Sequence, residues 1–147
     1  MGAGVAWACV AACVLAWFIA LSAYDIRQRR LPNVLTLPGA AAILTVAAVS
    51  GRGAPALAGA AALVSLYLVA HLAAPAGMGA GDVKLALGIG ALTGTFGVDV
   101  WVLAAIGAPL LTALWAIVAG ARHSDGTVPH GPSMCVAAAT AVTVALG

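Results

Sequence analysis

The chain has 147 residues, of which 64% are hydrophobic and only 7% charged, and its mean hydropathy is +1.13. A water-soluble domain of this length needs far more polar surface. A net charge of +2 scattered over distant positions also lacks the basic footprint of a nucleic-acid-binding protein. The composition therefore predicts an all-α, polytopic membrane bundle, read as one domain over residues 1–147.

Six apolar segments are predicted. The first covers about Gly4–Tyr24; no side-chain charge precedes it, and Arg27, Arg29 and Arg30 follow it. That order predicts a retained span rather than a cleaved leader. Cys9 and Cys13 lie four apart on it and Cys135 is far away, with no C-x-x-C pair, so the cysteines read as small apolar packing residues. The break DIRQRRLPN ends in Pro32 and Asn33, which are predicted to close the loop and open the second segment, about Val34–Ser50. After GRGA comes Pro55–Ala74, and after APAGMGAGDVK the fourth segment, Gly81–Phe96, on which Gly90 and Gly94 form a G-x-x-x-G packing face. The fifth, Val100–Gly120, follows GVD. The longer break ARHSDGTVPHGP precedes Ser133–Gly147, which is short for a full span and predicts tilt or local bilayer thinning.

With six spans, loops 1–2, 3–4 and 5–6 share one side. They carry Arg27, Arg29, Arg30, Lys84 and Arg122, against Arg52 alone opposite, so the positive-inside rule predicts that this side is cytoplasmic and both termini are outside. Asp25 and Asp82 then lie at the cytoplasmic boundary, with Pro129–Pro132 on the same side and Asp99 opposite.

There is no glutamate, so those aspartates, with Asp125, are all the carboxylate side chains available. Starting the fourth helix at Leu85 would leave too few residues to cross roughly 30 Å of hydrocarbon at about 1.5 Å each. The helix must begin nearer Gly79 or Gly81, which draws Asp82 to or below the interface. An ionisable group costs roughly 2.5–3.5 kcal/mol at mid-bilayer and less near the edge, which makes Asp82 a functional candidate by default; Lys84 can snorkel towards water. Gly77, Gly79 and Gly81 allow positive φ and close approach of backbone or substrate, because no Cβ can collide. A nucleotide loop is excluded because no βαβ pattern surrounds them.

Two carboxylates on one side of a bundle can form a dyad in which one keeps a proton and the other does not. The ionised member can take a proton from water while the other hydrogen-bonds a scissile carbonyl. The serines have no recognisable nucleophile context. Three histidines without glutamate make a poor metal site, so no metal and no other cofactor is expected. Charge placement alone leaves the dyad level with structural or ion-pathway roles.

At these residues the chain resembles a known family. Asp25-Ile-Arg-Gln-Arg-Arg-Leu31-Pro32-Asn33 resembles the D-x5-[IL]-P-N pattern of type IV prepilin peptidases, and Gly77-Met-Gly79-Ala-Gly81-Asp82-Val-Lys84-Leu resembles their G-x-G-D motif. Val128-Pro129-His130-Gly131-Pro132 is similar to the I-P-x-G-P stretch before their last span. Tyr24 beside Asp25 resembles the pair of presenilin-type G-x-G-D proteases, but the D-x5-L-P-N stretch favours the prepilin branch.

The resemblance implies an aspartic endopeptidase of the bacterial cytoplasmic membrane, with Asp25 and Asp82 as the catalytic pair. It would remove the basic leader from prepilin-like or pseudopilin substrates at the cytoplasmic face. Gly79, Gly81, Lys84, Pro32, Asn33, Pro129, Gly131 and Pro132 would bind substrate or shape the site. Expected partners are those substrates and membrane lipid, not nucleic acid, with self-association left open. Long members carry an N-terminal domain with paired cysteine motifs and methylate the new terminus. This sequence starts with a span and reads as the short, peptidase-only form, so methylation is not assigned. Arg27, Arg29 and Arg30 read as topology and lipid-binding residues, His130 as an interfacial histidine, and Lys84 as lying on a different helix face from Asp82. The alternatives are a small proton-coupled transporter, which would place its carboxylates nearer mid-bilayer, and a non-catalytic pilus or secretion assembly partner.

Overall fold

The computed structural model describes residues 2–120 and 128–147. Arg122 of the predicted fifth loop lies outside them. The described residues form six helices and no strand: α1 (Gly2–Gln28), α2 (Asn33–Val49), α3 (Gly53–Ala73), α4 (Ala80–Phe96), α5 (Val98–Gly120) and α6 (Gly131–Leu146). The all-helical bundle expected from composition is thus the observed architecture, with each boundary within a few residues of its expected place. The largest shift is at α1, which runs a full turn past Tyr24, so Asp25 sits inside the last turn rather than closing the span.

Three helices carry apolar spans long enough to cross a bilayer, 25 residues in α1, 21 in α3 and 23 in α5. At about 1.5 Å rise per residue each covers the roughly 30 Å hydrocarbon core. Helices α2, α4 and α6 are shorter, at 17, 17 and 16 residues. Large apolar side chains such as Trp7, Ile19, Leu72, Ile117 and Leu146 point outward and stay exposed. This is the inverted surface of a protein solvated by lipid. Cys9 and Cys13 are exposed on α1 rather than packed in the bundle; only Cys135 is buried.

The core is built around α4, which packs on α2, α3, α5 and α6. Nine of its 17 residues are buried, among them Leu85, Ala86, Ile89 and Thr93. Its contact with α3 depends on glycine: a Cβ at Gly90 would collide with the Gly59 carbonyl oxygen, and one at Gly59 with that of Gly90. A Cβ at Gly94 would lie 2.6 Å from the Pro55 carbonyl oxygen. The G-x-x-x-G face therefore brings two backbones together. Trp101 Nε1 on α5 donates to the Gly59 carbonyl at 2.9 Å, and Trp17 Nε1 on α1 donates to that of Leu35 at 2.8 Å. At the far end Arg52 donates to the Thr95 carbonyl at 3.0 Å, joining the loop between α2 and α3 to the last turn of α4. The opposite end gathers the ends of α1, α3 and α5 and the starts of α2, α4 and α6.

Candidate active site

Asp25 reaches this end from the last turn of α1 and is only 7% exposed. The helix stops just beyond it because Arg29 takes a left-handed backbone conformation, φ 52°, with its amide on the Asp25 carbonyl at 2.9 Å. Asp25 Oδ2 accepts the Gly131 amide at 2.9 Å. Glycine leaves room there: a Cβ at Gly131 would lie 2.7 Å from the same carboxylate oxygen and would push the carboxylate aside. Pro132, buried at the start of α6, needs no amide in a first helical turn and fixes the direction in which that helix leaves the site, while Pro129 is half-buried before it.

Asp82 stands at the third position of α4 and is 8% exposed. Its Oδ2 accepts the Gly79 amide at 3.2 Å, which is one half of a capping box. Gly79, at φ −74° and ψ 149°, is in extended conformation. Gly77 and Gly81 do not adopt positive φ either, since among the described glycines only Gly51 and Gly97 do. The string therefore makes no use of the positive φ that glycine allows. What the site uses is absence of bulk at Gly81, where a Cβ would stand 3.0 Å from that of Leu31. Leu31 is buried, and this contact sets the loop after α1 against the first turn of α4.

Pro32 caps α2 and Asn33 is its first residue, as expected. Asn33 Oδ1 accepts Lys84 Nζ at 2.8 Å, tying the starts of α2 and α4 together. Both side chains are exposed. Lys84→Met or Asn33→Ala is accordingly expected to change stability by less than about 1 kcal/mol, measured as the detergent unfolding midpoint.

The two carboxylates line one cleft of about 250 Å³, together with Leu31, Gly79, Gly81 and three cations, Arg29, Arg30 and Lys84. The negative charge of Asp25 is felt at Asp82 across this cleft. Arg29 and Arg30, expected to serve topology and lipid contact, thus also form the wall of the cleft. Arg27 does not line it. A larger groove of about 470 Å³ runs along α5 from Asp99 to Leu110, but Asp99 is the only ionisable group lining it, so it offers no comparable chemistry.

Three further residues meet at the start of α6. His130 Nε2 lies 2.9 Å from the Tyr67 hydroxyl on α3, and its Nδ1 lies 2.6 Å from Thr112 Oγ1 on α5. Burial pushes the His130 imidazole below its usual range. Tyr67 and Thr112 carry no signal in the sequence, since each is one polar residue in a long apolar run. His71 Nδ1 donates to the Met78 carbonyl at 2.7 Å and tethers the loop leading to Gly79.

A helical membrane protein with two buried aspartates on one cleft, each holding a backbone amide, has the equipment for proton transfer at a membrane boundary. The chain matches the type IV leader peptidase family over residues 12–124, and it belongs to that family. It is thus a membrane peptidase, a hydrolase of peptide bonds. The matched region contains Asp25, Leu31–Asn33 and Gly79–Asp82, and ends before Pro129–Pro132. No curated protein and no solved structure matches the chain.

Proposed function

We propose that this peptidase is an aspartic endopeptidase that cuts leaders from prepilin-like or pseudopilin substrates, with Asp25 and Asp82 as its catalytic pair. The observation that carries the reading is the convergence of two buried carboxylates from α1 and α4 on one open cleft. Asp25 is assigned the ionised role, because it has the shorter amide contact, 2.9 Å against 3.2 Å, and the positive charge of Arg29 beside it. Asp82 is assigned the protonated role.

In the first step water adds to the scissile carbonyl carbon. Asp25 takes the proton that water loses, and Asp82 gives its own to the carbonyl oxygen. In the second, the C–N bond breaks, Asp25 returns its proton to the departing amine and Asp82 recovers one from the hydroxyl. Net consumption is one water per bond.

The charge bias of the loops supports a cytoplasmic active site in the bacterial inner membrane, where a leader is still attached to its apolar helix. The three cations of the cleft wall repel a basic leader, so its positive residues leave the cleft away from Arg30 and Lys84. Methylation is not part of the proposal.

The test is cleavage of a prepilin-like substrate by membranes containing the full chain, read by mass spectrometry. A single cut that releases the leader and leaves a new N-terminus at the apolar helix is expected. Substrates that stay intact across a panel of such precursors, or cuts placed elsewhere, would overturn the proposal.

A further inference from the structure

His130 occupies the cap position of α6, directly before the glycine whose amide rests on Asp25. Its ring joins three helices: Nε2 meets Tyr67 of α3 at 2.9 Å, Nδ1 meets Thr112 of α5 at 2.6 Å, and its backbone begins α6. The Tyr67 and His130 rings also pack at 5.5 Å between centroids, tilted by 39°.

The hydrogen-bond pattern assigns the tautomer. Thr112 Oγ1 lies 3.1 Å from the Ala108 carbonyl, which can only accept, so the threonine proton points there. The threonine oxygen must then accept from His130, which places a proton on Nδ1. A neutral ring protonated at Nδ1 has a bare Nε2, and this accepts the Tyr67 hydroxyl proton. All three contacts are satisfied. The opposite tautomer would strand the hydroxyl proton of Tyr67, a residue 4% exposed, and give up the Ala108 bond. The depressed basicity of the half-buried ring agrees with a neutral imidazole.

We infer that His130 is a positioning residue: a neutral Nδ1–H imidazole that fastens α3 and α5 to the first turn of α6 and so holds the Gly131 amide against Asp25. The inference rests on the assignment of Asp25 to catalysis. Without the ring, the cap of α6 is no longer tied to its neighbours, and the amide drifts from the carboxylate it orients. Displacement on this scale affects the chemical step more than substrate capture, because His130 does not line the cleft.

The experiment has two readouts on the full chain in detergent or nanodiscs. Nitrogen NMR of imidazole-labelled protein, with the His130 signals identified by their loss in His130→Gln, is expected to show a protonated Nδ1 and an unprotonated Nε2. An Nε2–H ring, or a cationic ring at neutral pH, would overturn the inference. In kinetics normalised to folded protein, His130→Ala is expected to lower kcat roughly 10- to 100-fold with KM within about twofold. The near-isosteric Tyr67→Phe and Thr112→Val should each lower kcat about fivefold. Adding Tyr67→Phe to His130→Ala should cost nothing further, because one network is removed once. His130→Asn, which retains a donor towards Thr112, should recover part of the loss. A purely structural histidine would instead lower the yield or unfolding midpoint and leave kcat per folded molecule unchanged, which would overturn the inference. Cleavage surviving Asp25→Asn would remove the functional reading and this one with it. Cleavage lost in Asp25→Asn but unchanged in His130→Ala would overturn the role of His130 alone.

Discussion

Asp25→Asn and Asp82→Asn are each expected to lower cleavage by at least about a thousandfold while leaving an inserted, folded bundle. Asparagine matches aspartate in shape, and its carbonyl oxygen can still accept the amide that each carboxylate holds, Gly131 for Asp25 and Gly79 for Asp82. It cannot take a proton from water, and it cannot give one to a carbonyl oxygen at neutral pH. Both losses strike the chemical step, so the fall should appear in kcat while substrate still binds. The fold should even gain slightly, since a buried ionisable group is replaced by a neutral one. The check is leader release by wild type and both variants at equal folded amount, with the unfolding midpoint measured alongside. Cleavage retained by either variant removes that residue from the mechanism.

Gly90→Ala and Gly59→Ala are expected to destabilise the bundle by roughly 2–3 kcal/mol each, with loss of folded protein from detergent extracts. At both positions the added methyl meets the carbonyl oxygen of the facing helix, and backbone cannot swing aside as a side chain would. Separation of α3 from α4 would also loosen the Trp101 bond to the Gly59 carbonyl, coupling α5 to the damage. Gly77→Ala is the matched control, because its nearest neighbour to a new Cβ would be at 3.6 Å, an ordinary contact. The measurement is the thermal midpoint of purified protein. Equal midpoints for Gly90→Ala and Gly77→Ala would show that the two backbones are not in contact. The pair also bears on the site, since α4 carries Asp82 and must keep its register against α3, which carries Tyr67.

The helices were legible because long apolar runs broken by short polar loops have one solution in lipid: every backbone amide and carbonyl must be satisfied within the segment. The start of α4 at Ala80 falls where the length needed to cross hydrocarbon placed it, near Gly79 or Gly81, but its 17 residues stay short of a full crossing. Asp25 and Asp82 stood out because a carboxylate is costly in such surroundings, and Pro32 and Asn33 because proline belongs at the start of a helix. The face that each helix buries was not legible in the same way. All sides of these helices are apolar, so no polar stripe marks the outside, and Cys9 and Cys13, read as packing residues, turn outward.

Only the tertiary structure decided which groups hold the carboxylates. The Gly131 amide and Asp25 are 106 positions apart, and Tyr67 and His130 are 63 apart. Local pattern carries no trace of such pairs, because each becomes a neighbour only when α6 docks beside α1, α4 and α5. The glycines near Asp82 show the same division. Composition marked them as special, but their negative φ angles and the close approach of Leu31 to Gly81 show that the demand is for space and not for a left-handed backbone. By itself the sequence determined the spans, the loops and the two carboxylates, through the cost of polar groups in hydrocarbon. The packing of six nearly featureless apolar surfaces determined the cleft between them, through contacts that exist only once the bundle is closed.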